Sequence, residues 1–159
     1  MSDETRVQIW EDMLNAKMNV RYFKHLIKRY KNLELSMKIL LALSSSGTVA
    51  GWMIWNKIPG LWQTLSAVAA VIAIINPLLN YPKLISKLAN LHGEWVWLTS
   101  EHEKLWVALN EGREINILEK FNSLRSKQVA VRRAESDVPY NSKLVQTCQK
   151  EVRRAMGLS

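Results

Sequence analysis

The stretch Ile39 to Trp55 reads "ILLALSSSGTVAGWMIW", seventeen residues without a charged side chain. As an α-helix rising 1.5 Å per residue it is about 25 Å long. Leu33 and Leu35 extend its apolar character inward, past Glu34 and Lys38, whose side chains can snorkel toward water. A second run, Leu61 to Leu79, reads "LWQTLSAVAAVIAIINPLL" and holds nineteen uncharged residues. Both approach the roughly 20 residues that a bilayer core requires. The connection "NKIPG", Asn56 to Gly60, carries the turn formers Pro59 and Gly60, so the two runs read as a tight helical hairpin.

The competing reading is a buried hairpin inside a soluble helical bundle. Two features favour lipid. Both runs are apolar on all sides, whereas the helix of a small soluble domain shows one stripe. The charge also follows the positive-inside pattern: Arg21, Lys24, Lys28, Arg29, Lys31 and Lys38 precede the first run, Lys83 and Lys87 follow the second, and the loop has only Lys57. Trp52, Trp55 and Trp62 cluster at the loop and Tyr81 lies at the opposite end, as interfacial aromatic belts would. The expectation is two transmembrane helices, about 39–55 and 61–79, with both termini cytoplasmic. A signal peptide is not expected, because 38 largely polar residues precede the first run.

Small residues mark the faces on which these helices pack. Gly47 and Gly51 form one small-xxx-small face of the first span, with Ala42, Ser46 and Ala50 beside it; Ser66, Ala69, Ala70 and Ala73 answer on the second. Two small faces imply two helix neighbours, the partner span and a second copy of the chain. Among the polar residues of the spans, Asn76 and Pro77 are the most pointed. Pro77 lacks an amide donor and frees the carbonyl of Ala73, so the pair reads either as a kink or as a hinge and amide lining a pore.

The flanks are soluble helices in this reading. Val7, Trp10, Leu14, Met18, Tyr22, Leu26, Tyr30 and Leu33 recur at three- or four-residue spacing, an amphipathic helix over 1–38. After Pro82, Leu84, Leu88, Leu91, Trp95, Leu98, His102, Leu105 and Leu109 alternate steps of four and three, a heptad seam with one polar member. Trp97, Trp106 and Val107 lie off that seam. Gly112 interrupts, and Ile117, Phe121, Leu124, Gln128 and Val131 set a new register. Pro139 ends it, and Asn141 or Ser142 can open a basic helix to about Met156. The fold class is therefore all-α: an N-terminal amphipathic helix (1–38), a transmembrane hairpin (39–82) and a cytoplasmic helical region (83–159). The N-terminal helix can cover the seam within one chain, but the surplus of apolar face favours packing between copies as well, as a homo-oligomer.

Composition excludes more than it assigns. Net charge is +8, and the excess sits at the two ends: residues 1–38 carry eight Lys/Arg against five acids, and residues 113–159 carry ten against five. Cys148 is the one cysteine, so neither a disulfide framework nor a cysteine-based zinc cage is expected, and no histidine lies near it. His92 and His102 are ten apart and point away from one another, unlike the i, i+4 pairs of metal-binding helices. No G-x-S-x-G, P-loop or Gly-rich strand–helix turn occurs. No catalytic residue, metal or cofactor is expected. The Arg pairs in "VRRAESD" and "EVRRAMG" suit phosphates, an anionic inner leaflet or the end of a bundle, and without a reader motif nucleic acid is the weaker reading.

In layout the chain resembles the SLATT family, two-transmembrane effectors associated with SMODS nucleotide cyclases and SLOG sensors in bacterial conflict systems. The likeness lies in "RYFKHLIKRYKNLELSMKILLAL", "VIAIINPLLNYPKLISKLANLHGEW" and the helix that follows. Membership implies a membrane-disrupting or pore-forming role in antiphage defence at the bacterial inner membrane, with lipid as the immediate partner. It implies no catalytic residues. No nucleotide-sensing domain is evident in the sequence, so the trigger falls to a sensor or nucleotide-signalling partner. The alternative is a membrane-anchored coiled-coil scaffold for a soluble partner; a soluble helical adaptor is the third reading.

Overall fold

The computed structural model describes residues 3–50, 64, 67–68, 70–74, 80–112 and 116–158, with backbone alone for 43–50. Four helices are bounded: α1 (Asp3–Ala50), α2 (Tyr81–Glu111), α3 (Ile117–Ala134) and α4 (Ser142–Ala155). Residues 70–74 are helical as well, and among the described residues there is no strand. The all-α expectation holds at this level. Acids Asp3 and Glu4 occupy the first turn of α1, where they complement the helix dipole. With no proline or glycine before Gly47, nothing breaks α1 between its polar and apolar parts.

The remaining helix ends follow from single residues. Asn80 takes a left-handed φ of 38° and its carbonyl accepts from the N–H groups of Lys83 and Leu84, which opens α2. Pro82 sits in that first turn, where a missing N–H costs nothing. Asn141 caps α4, its side chain accepting from Leu144 N at 3.1 Å. At the other end Gly157, at φ 69°, lets Leu158 N reach Arg153 O and Gly157 N reach Arg154 O, a Schellman closure.

Two compact units result: residues 1–26 with 87–159, and residues 27–86. The first is a four-helix unit with the N-terminal part of α1 running antiparallel to α2. Arg6 donates to Asn110 at 2.8 Å, the rings of Trp10 and Trp106 lie 5.0 Å apart, and Lys17 pairs with Glu103 at 2.8 Å. α2 is tied to the turn that follows α3 by the Trp95 indole, which donates to Glu135, and by Lys87–Asp137 at 2.9 Å. The heptad seam lines the core. Leu88, Leu91, Trp95, Leu98, His102 and Leu105 are buried at 0–5% exposure within the single chain, while Leu109 at the end is half-buried. All five residues of the second register, Ile117, Phe121, Leu124, Gln128 and Val131, are buried.

α1 departs from the expected stripe. Its buried side chains are Ile9, Met13, Ala16, Tyr22, Phe23 and Leu26, whereas Val7 is 54% and Leu33 41% exposed, and Trp10, Leu14, Met18 and Tyr30 are half-buried. The helix carries two adjacent apolar stripes, and periodicity alone cannot rank them. Packing chooses the one with small and flexible members, Ala16 and Met13, and leaves bulky Trp10 at the edge against Trp106.

In the second unit, Tyr30 and Tyr81 face one another with ring centroids 6.2 Å apart, and Lys38 pairs with Glu34 at 2.6 Å across one turn. Leu84 of the expected seam is half-buried here. Tyr81 is the sole large apolar side chain buried among the described residues of this unit.

Candidate functional site

The described residues of the second unit expose much of their apolar surface. Leu33, Leu35, Ile39, Val68, Val71 and Ile74 stand 41–67% exposed. Helix geometry dictates part of this: Val68 and Val71, then Val71 and Ile74, are three apart and share a face. Ala70 and Ala73, two of the expected small packing residues, are also exposed in the single chain. Ser46, Gly47 and Ala50 lie on the helical backbone of α1, their side chains outside the described set. Gly51, Ser66, Asn76 and Pro77 lie outside the described residues, as do Trp52, Trp55, Trp62 and the connecting loop. Among the described residues no helix is long and apolar enough to cross a membrane. Of the expected spans, 51–55 and all of 61–79 except 64, 67–68 and 70–74 fall outside that set.

The first unit covers part of its apolar surface within the chain, while Val96, Trp97, Val107, Leu118 and Val129 stay 41–58% exposed. Trp106 rests against Trp10, and the Lys127 ammonium lies 3.6 Å from the Trp97 ring centroid. Arg125 similarly lies 5.3 Å from the Phe121 ring. Val107 remains 51% exposed. The Arg pairs sit in the last turns of α3 (Arg132, Arg133) and α4 (Arg153, Arg154), where cations complement the helix dipole. All four are exposed.

Titratable groups collect in two places inside this unit. His102 is fully buried, and neither of its ring nitrogens nor Gln128 Oε1 has a hydrogen-bond partner. Burial lowers its pKa from 6.5, and the Asp12 carboxylate and Gln128 only partly oppose that. Asp12 pairs with Arg125 at 3.4 Å. Apart from both places, Glu135, held by the Trp95 indole, has its pKa raised by burial, against the pull of that hydrogen bond and of Arg132.

The second place was not legible in the sequence. His25 of α1 meets Cys148 and Glu151 of α4, with one donor atom from each lying within 4.8 Å of the others. This corrects the expectation that Cys148 has no histidine near it. Cys148 and Glu151 are three apart on one helix, a spacing visible in the sequence, but His25 arrives from 126 residues before Glu151. A groove of about 340 Å³ between α2 and α3 is edged by Glu101, Lys104, Lys120 and Ser123.

Compared with known proteins, the chain matches no family model, and no curated protein or solved structure is similar to it.

Proposed function

We propose that the chain is an inner-membrane effector that assembles through its apolar hairpin and permeabilises the bilayer when a sensor or second messenger triggers it. One observation carries the membrane part. The 27–86 unit has Tyr81 as its only buried large apolar side chain among the described residues, yet six others there stand 41–67% exposed. Apolar surface left in water costs about 25 cal/mol per Å², so a unit built this way needs an apolar surrounding. Lipid supplies it along the faces of Val68, Val71 and Ile74. The basic ends, including Arg132, Arg133, Arg153 and Arg154, suit the anionic cytoplasmic leaflet.

Assembly rests on the small faces of Gly47, Gly51, Ser46, Ala50, Ser66, Ala70 and Ala73, which permit close helix approach where lipid cannot reward it. Asn76 and Pro77 are the hinge and the polar lining of the assembled pore. The permeabilising role and its setting in antiphage defence rest on the likeness of layout to the SLATT effectors. The closed seam counts against the scaffold alternative, because Leu88 to Leu105 offer a soluble partner no free coiled-coil face.

Liposomes loaded with a self-quenched dye test the reading. At high protein density, where mass action assembles the chain without its trigger, the reconstituted protein releases dye, and Asn76→Leu inserts equally but releases less. Tight vesicles at every protein density contradict the pore.

A further inference from the structure

His25, Cys148 and Glu151 present nitrogen, sulfur and oxygen donors to one point, from two helices that the sequence separates by more than a hundred residues. His25 Nε2 lies 3.4 Å from Glu151 Oε2, and all three donors lie within 4.8 Å of one another. Cys148 is 0% exposed and forms the floor. The side chains of His25 and Glu151 are 42% and 39% exposed and form the mouth, so an ion has a path from solvent.

We infer that these residues bind one divalent transition-metal ion, zinc before others, with water as the fourth ligand. The donor set decides the class. Calcium and magnesium take oxygen ligands throughout, whereas a thiolate, an imidazole and a carboxylate suit zinc. Zinc–nitrogen and zinc–sulfur bonds of about 2.0–2.3 Å put neighbouring donors of a tetrahedron about 3.3–3.7 Å apart. The His25–Glu151 contact already has that spacing. The sulfur closes by about 1 Å or less through rotation of the two half-exposed side chains toward it.

Charge balances at the site. On binding, the Cys148 thiol gives its proton to solvent, and thiolate plus carboxylate cancel the ion's two charges. Burial and then the Glu151 carboxylate push the Cys148 thiol pKa up; the Arg21 charge opposes them only in part and also repels the incoming cation, so the ion itself must draw out the thiolate. Binding therefore weakens as pH falls and is weaker than in a site of several cysteines. The ion ties α4 to α1, adding a second clamp to the one made by Tyr22 near Asn141.

Cobalt titration of the full-length, detergent-solubilised protein tests this. Wild type binds a single equivalent of Co²⁺ with a sulfur-to-cobalt charge-transfer band in the near ultraviolet, and Zn²⁺ displaces it. Cys148→Ser abolishes the band. His25→Ala and Glu151→Gln weaken binding by more than the roughly 10–100-fold that loss of an outer-shell partner costs. His92→Ala leaves binding unchanged. Zn²⁺ raises the melting temperature of wild type but not of His25→Ala, a half-exposed position whose truncation spares the fold even if Cys148→Ser does not fold. Absence of the band in wild type overturns the site, as does equal affinity in His25→Ala and His92→Ala.

Discussion

The phenolic oxygen of Tyr22 accepts a hydrogen bond from the backbone N–H of Asn141 at 3.1 Å. The same hydroxyl donates to the carbonyl of Pro139 at 3.2 Å. One buried side chain of α1 thus fixes the entry to α4 at the residue that caps it. Tyr22→Phe leaves that N–H without an acceptor and costs about 1–3 kcal/mol. Amide exchange across α4 accelerates while that of α2 does not. Unchanged exchange in α4 contradicts the clamp.

His102 makes stability depend on pH. Burial holds its folded pKa below the ordinary histidine value of 6.5, so the unfolded chain binds more protons in the window between them. Stability is full above about 6.5 and declines as pH falls through the window. Asp12, Gln128 and Arg125 are the polar groups around it, and the Asp12 charge softens the decline. His102→Leu removes this slope and melts above wild type at pH 5.5. Parallel melting curves for the two proteins between pH 8 and pH 5.5 contradict this.

Glu135 acts in the opposite sense. Its folded pKa is raised above 4.5, so the native state holds the proton longer, and stability falls as pH rises through that range. Glu135→Gln keeps an acceptor for the Trp95 indole and removes the buried charge. The variant melts above wild type at pH 7 and approaches it near pH 4. A variant that melts lower at pH 7 shows that the Arg132 attraction outweighs burial.

Charge placed on the exposed face of the 27–86 unit weakens membrane insertion. Ile74→Asp puts a carboxylate where a side chain is 67% exposed. An aspartate near a span centre costs about 2.5–3.5 kcal/mol on insertion scales. Val129→Asp, on a residue 50% exposed in the four-helix unit, is the control. The first variant loses membrane-bound protein and the second does not; equal loss contradicts the assignment of the two surfaces.

Local periodicity made the core of α2 and α3 readable, since each carries one unbroken stripe at three- and four-residue steps and the packing uses it. Asn141 and Gly157 were or could be placed by their own chemistry at helix ends. α1 misled because Ile9–Met13–Ala16 and Val7–Trp10–Leu14 are neighbouring stripes, and only the shape of α2 chooses between them. The seam's two closures, against α1 or against another copy, are identical in sequence; burial of Leu88 to Leu105 within one chain is a product of tertiary packing that periodicity does not encode. The meeting of His25 with Cys148 had no local signal, because long-range pairs are products of topology.

Carbonate extraction of membranes from cells expressing the full chain tests the central claim most directly. The account predicts that the protein stays in the membrane pellet at high pH and high salt, and leaves it only with detergent. Recovery in the supernatant without detergent contradicts the transmembrane hairpin and, with it, the proposed role.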